Sequence, residues 1–166
     1  MDRLITWLPH HIPRDDRSCI VHGDYRLDNI IVAPTASTVA AVLDWELATL
    51  GDPLADLTYH LMAWDMPRAE DGVGFGTLLG RDLAALGIPT RAAYVDTYAA
   101  RTGLDPRPHL ATYLAYNFFR LAAILQGIAG RLRDGTAVSE NAAGMARMVR
   151  PLADRAWQFA EEAGAR

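Results

Sequence analysis

The chain has 166 residues, 51% of them hydrophobic, enough for one domain with a real core. Its net charge of −4 and pI near 5.7 exclude the basic stripe of a nucleic-acid binder. All sixteen basic residues are arginine, so the sequence holds no Gly-Lys phosphate loop and no catalytic lysine. The stretch "DRLITWLPHHIP" (2–13) reads as a short helix stopped by Pro9 and Pro13. It lacks the basic start, apolar centre and small-residue cleavage site of a signal peptide. With a single cysteine, Cys19, in the apolar run "SCIV", these features place the chain in the cytoplasm and Cys19 in the core.

"CIV" (19–21) is a short buried strand that feeds the polar segment "HGDYRLDN" (22–29). Two apolar, partly β-branched runs follow, "IIVA" (30–33) and "VAAVL" (39–43), separated by "PTAST", which is a hairpin signal. In "GDPL", Asp52 is suited to cap a helix with Pro53 at its first position. From there the chain reads as helical: "PLADLTYHLMAW" (53–64), "LLGRDLAALG" (78–87), "TRAAYVDTYAARTG" (90–103), "PHLATYLAYNFFRLAAILQGIAGRLR" (108–133) and "SENAAGMARMVRPLADRAWQFAEEAG" (139–164). Thr90 and Ser139 are expected caps and Gly103 an expected helix stop. The Pro/Gly-rich "MPRAEDGVGFG" (66–76) reads as a flexible connection, because its glycine spacing does not fit a phosphate cradle and no strand precedes it. The run 110–130 has membrane-spanning length, but Arg120 at its centre, with Asn117 and Gln126 nearby, favours a buried helix and no membrane partner.

The hairpin implies a chemistry. In an antiparallel pair, the start of the first strand lies beside the end of the second. Asn29 precedes the first strand and Asp44 follows the second, while Asp24 sits on the loop entering the same end. Oxygen donors without a cysteine or histidine cluster suit Mg²⁺, which binds through few protein groups plus substrate phosphates. An aspartate left free of the metal can accept a hydroxyl proton. The set therefore points to phosphoryl transfer, with Asp24 as base and Asn29 and Asp44 as metal ligands.

The motifs His22-Gly23-Asp24-x4-Asn29 and Asp44-Trp45-Glu46 resemble the H-R-D-x4-N and D-F-G motifs of protein kinases. In the H-G-D form they resemble the aminoglycoside phosphotransferase (phosphotransferase enzyme) family of kinase-like enzymes acting on small molecules. "VLDWELATLGDPLADLTYHLMAW" extends the likeness, and "LGIPTRAAYVDTYAARTG" and "FFRLAAILQGIAGR" are similar to the branch fused to acyl-CoA dehydrogenases. The resemblance implies an α+β, mostly helical fold: the C-terminal lobe of a kinase-like protein, residues 1–166, with a small hairpin carrying the catalytic and metal loops. It implies Mg²⁺ as cofactor and ATP or another nucleoside triphosphate as co-substrate, with a small-molecule hydroxyl as acceptor. By the same likeness Asp56 braces the catalytic loop and His22 anchors it. The family's N-terminal nucleotide-binding lobe, with its phosphate-gripping lysine, has no counterpart in these residues. A chain so reduced is expected to turn over poorly and to self-associate through the surface that lobe would cover.

Tyr113, Asn117 and Arg120 fall on one helical face. That stripe either borders a substrate cleft or buries an internal arginine against an acid. Arg26 and Asp28 read as local ion-pair partners, and His60 and His109 as packing or surface residues. The alternative to a kinase is a non-catalytic binding or regulatory module derived from the same fold.

Overall fold

A computed structural model describes residues 1–13, 17–69, 72 and 74–166. Helix α1 (Asp2–Trp7) runs into a 3-10 turn over Leu8–His10, where Pro9 ends the α-helical hydrogen bonding. Strand β1 (Cys19–Val21) leads into the polar loop, and β2 (Ile30–Val32) and β3 (Val39–Val42) form the expected hairpin, paired Ile30 to Val42 and Ile31 to Ala41. Strand β4 (Thr49–Gly51), which the sequence reading missed, pairs antiparallel with β1, Cys19 opposite Gly51 and Val21 opposite Thr49. Among the described residues the β structure is thus two separate two-stranded sheets, and Cys19 is half-buried rather than in the core.

The helices carry the core. Helix α2 (Leu54–Leu61) starts where the Asp52 carboxylate accepts the Leu54 N–H at 2.8 Å. Helix α3 (Arg91–Thr102) is capped by the Thr90 hydroxyl, which accepts from Ala93 N, and stopped by Gly103 at φ 73°. Helix α4 (Leu110–Arg133) packs against α2, α5 (Ala142–Arg147) and α6 (Val149–Glu162). Leu54, Leu61, Leu114, Phe118, Leu152 and Phe159 interlock there with almost no exposure, and the Phe118 and Phe159 rings stack 5.7 Å apart. Each such side chain withdrawn from water contributes roughly 1.5–3 kcal/mol. Among the described residues, no helix is long and apolar enough to cross a membrane.

Two expected helices differ. Residues 78–87 form turns, not a helix: Gly80 and Gly87 sit at positive φ, and the Asp82 side chain and carbonyl take the Ala85 and Leu86 N–H groups. A ten-residue segment with glycines at its third and last positions cannot repay helix nucleation there without a buried face. The segment 139–164 is two helices broken at Met148, because Pro151 has no N–H to offer the Arg147 carbonyl. Ser139 accepts from Asn141 N in the turn before α5, whose capping position is Asn141. The 66–76 connection includes residues 70, 71 and 73, which lie outside the described residues. Just before it, the buried carboxylate of Asp65 hydrogen-bonds both Arg91 and Arg155, tying the end of the α2 region to α3 and α6.

Candidate active site

The loop between β1 and β2 is fixed from three sides. From α2, the Asp56 carboxylate accepts the backbone N–H of His22 at 2.6 Å and of Gly23 at 2.9 Å. From α4, the Arg120 guanidinium donates to the Gly23 carbonyl at 2.7 Å. From just past β3, the Leu43 carbonyl meets His22 Nε2 at 2.7 Å, while His22 Nδ1 accepts the Asp24 N–H at 3.2 Å. With both ring nitrogens engaged by the backbone, His22 is a buried strut between the loop and Leu43. Trp45 tilts over its ring at 4.7 Å. Gly23 has φ +83°, and a Cβ there would lie 2.7 Å from the Leu47 carbonyl oxygen, so this position requires glycine.

Asp24 is half-buried, with its carboxylate toward the hairpin end. Its Oδ2 accepts from Asn29 Nδ2 at 3.2 Å, and Arg26 Nε lies 3.6 Å away. Arg26 also reaches Asp28 at 3.3 Å, so this arginine is a local bridge. The Asn29 amide donates again to the Asp24 backbone carbonyl at 2.9 Å. Both donations use the NH₂ end and leave the Asn29 carbonyl oxygen for another partner.

The hairpin brings Asn29 and Asp44 to one end: Ile30 pairs with Val42, and Leu43 N–H donates to the Asn29 carbonyl at 2.8 Å. Asp44 follows at once, exposed and left-handed, with φ 67° and ψ 51°. It is the one non-glycine with positive φ among the described residues. Such a residue costs about 1–3 kcal/mol and concentrates at functional sites. Asn29 Oδ1 and the Asp44 carboxylate are hard oxygen donors of the kind Mg²⁺ takes. Among the described residues no three His, Cys, Asp or Glu side chains cluster to hold a metal alone. A donor pair completed by substrate phosphates fits that arrangement.

The stripe on α4 faces the protein's interior. The Tyr113 hydroxyl bonds Asp52, Asn117 is fully buried with its amide on Thr58 (2.8 Å) and the Ala55 carbonyl (3.2 Å), and Arg120 holds Gly23. All three polar ends turn inward against α2 and the loop, because α4 packs on α2 along this face. The stripe braces the site from behind, and Arg120 meets a backbone carbonyl instead of an acid.

Sequence reasoning missed Tyr59, while His60 packs, as one of its two readings expected. The Tyr59 ring lies 5.3 Å from the Arg120 guanidinium, and burial first, then the Asp24 carboxylate nearby, pushes its phenol up to about 12. His60 packs among Tyr25, Trp64 and Tyr94, with ring centroids 5.3–6.0 Å away, and burial holds its imidazole below the usual histidine range. The spacing 56, 59, 60 on one helical face was the available signal. A surface hollow near 530 Å³ lies instead along Asp96, Gly103 and Arg107, whose charges already pair with one another or with Asp105.

Two small antiparallel sheets on a helical body, with a carboxylate loop and a left-handed aspartate at the hairpin end, define a lobe of a kinase-like fold. A profile of the phosphotransferase enzyme family (APH) matches residues 1–111, and the chain belongs to that family. A crystal structure from Ralstonia eutropha JMP134, provisionally named an aminoglycoside phosphotransferase, superposes with a TM-score of 0.88 at 47% identity, over 97% of this chain and 48% of that one. Acyl-CoA dehydrogenase family member 10 of Mus musculus is 44% identical over all of this chain. Acyl-CoA dehydrogenase family member 11 of Homo sapiens is 34% identical over 97% of it. The chain spans 15% and 20% of those two proteins, so most of each lies outside the likeness.

Proposed function

We propose that this lobe transfers the γ-phosphate of ATP, or another nucleoside triphosphate, to a hydroxyl of a small molecule. The observation carrying the reading is the Asp24 carboxylate bonded to Asn29 at the end of the hairpin from which Asp44 follows. Asp24 accepts the acceptor's hydroxyl proton as the oxygen attacks. Asn29 Oδ1 and Asp44 would hold Mg²⁺, which when bound neutralises phosphate charge. His22, Asp56 and Arg120 keep the loop's backbone in place. A nucleotide co-substrate suits a cytoplasmic setting.

Ile20, Leu27, Ile31, Val32, Trp45 and Leu50 are each 45–73% exposed on the two sheets and the loops beside them. Apolar side chains so exposed support a further lobe covering them in the whole protein, and self-association of this chain by itself. Without lysine, the lobe alone should turn over slowly. The metal assignment is tested by Mn²⁺ with ATP: paramagnetic broadening should centre on the amides of 24–29 and 43–46 and vanish in Asp44→Asn. Broadening elsewhere, or unchanged in that variant, contradicts it.

A further inference from the structure

The loop carrying Asp24 continues into a group of aromatic rings. Tyr25 follows Asp24 directly, and its ring packs 6.0 Å from that of His60 on α2. The His60 ring lies 5.8 Å from Trp64, in the 3-10 turn after α2, and 5.3 Å from Tyr94 on α3. Trp64 and Tyr94 close the group at 5.2 Å. Three separate segments of the chain thus bring four rings together, beginning one residue from the reacting carboxylate.

The group is held in place. Trp64 Nε1 donates to the Pro89 carbonyl at 2.9 Å, and Asp65 beside it bonds Arg91 at the start of α3. Asp56, one turn before His60, fixes the loop backbone just ahead of Asp24. Yet all four residues are only half-buried, so apolar ring surface stays in water. Among the described residues, no hydrogen bond takes the His60 ring nitrogens or the hydroxyls of Tyr25 and Tyr94. Buried tyrosines usually engage such tips within the chain. Fixed rings with a few unengaged polar tips are the lining of a small-molecule subsite.

Charge narrows the occupant. Among the described residues no carboxylate bonds any of the four side chains, and burial alone holds the His60 imidazole down and neutral. Burial first, then Tyr25, raises the Tyr94 phenol, against the opposing charge of Arg101. An acceptor bearing ammonium groups would leave water here without an acid to pair with. Uncharged carbon has no such penalty, and each methylene laid on the rings tightens binding roughly fourfold.

We propose that Tyr25, His60, Trp64 and Tyr94 form a wall that binds the uncharged, apolar segment bearing the acceptor hydroxyl and selects against a cation there. The wall's part in phosphate transfer rests on the phosphotransferase reading; its binding of such a segment does not.

Two probes test it: n-pentanol, and its isostere with an ammonium in place of the terminal methyl. In the 166-residue chain with labelled aromatic side chains, n-pentanol should shift the signals of Tyr25, His60, Trp64 and Tyr94 saturably. The ammonium isostere should bind at least about 10-fold more weakly. Shifts confined to the apolar residues of the two sheets, or equal affinity for both probes, overturn the wall. In a protein joining this chain to a nucleotide-binding lobe, Tyr94→Ala should raise the KM for n-pentanol by about 10-fold. Its kcat and the nucleotide KM should hardly move, because the wall grips the acceptor's body and not the reacting atoms. An equal rise for both probes, or a parent that prefers the ammonium isostere, overturns the selection. A parent that transfers phosphate to neither alcohol, with the ring shifts present, refutes the role in transfer and leaves the binding wall standing.

Discussion

Asp56→Ala is the sharpest perturbation of the loop. Asp56 accepts two backbone N–H groups, at 2.6 and 2.9 Å, and both belong to the residues just before Asp24. Hydrogen bonds to a charged group contribute about 1.5–3 kcal/mol each, so the pair sets a ceiling of ~3–6 kcal/mol. Water entering the half-buried loop recovers part of that, and a net loss of ~2–4 kcal/mol is expected. The loss is local, because the core of α4 and α6 does not touch these bonds. Native-state hydrogen exchange reads it directly: the His22 and Gly23 amides should exchange roughly 30- to 1,000-fold faster. Amides in the middle of α4 should change far less. Wild-type exchange at His22 and Gly23 in the variant would refute the bracing role.

Asp65→Ala should cost about 3–5 kcal/mol, because it strands the Arg91 and Arg155 guanidiniums over the Phe159 ring, and chemical denaturation measures it. A loss under 1 kcal/mol would mean that water already screens both. His60 is held below its ordinary 6.5 by burial, so the unfolded chain binds its proton first as pH falls. That contribution is complete above about pH 6.5 and is lost as pH drops through the folded-state value. Stability curves between pH 7 and 5 should therefore fall more steeply for the native chain than for His60→Gln; parallel curves would contradict the burial effect.

Much of the site was legible because its spacing is short and its partners are fixed by one hairpin. The interval from Asp24 to Asn29, and the two runs 30–33 and 39–43, are enough to set Asn29 beside Asp44. Strand β4 was not, since three residues carry no alternation to read. The 78–87 segment has helical composition, but its glycines and the Asp82 side chain complete single turns that compete with a helix. On α4, the direction of Asn117 depends on which face packs against α2, a tertiary fact that periodicity leaves open. Tyr59 was hidden for a related reason: a tyrosine in an apolar helix reads as core until the loop it faces is in place.

The central claim is that Asp24 takes the acceptor's proton while Asn29 and Asp44 face the metal. The direct measurement is single-turnover phosphate transfer to a hydroxyl acceptor by Asp24→Asn, in a protein carrying this chain with a nucleotide-binding lobe. Turnover should fall by about 10²–10⁴-fold while nucleotide affinity in Mg²⁺ stays nearly unchanged. Full turnover in that variant would remove Asp24 from the chemistry.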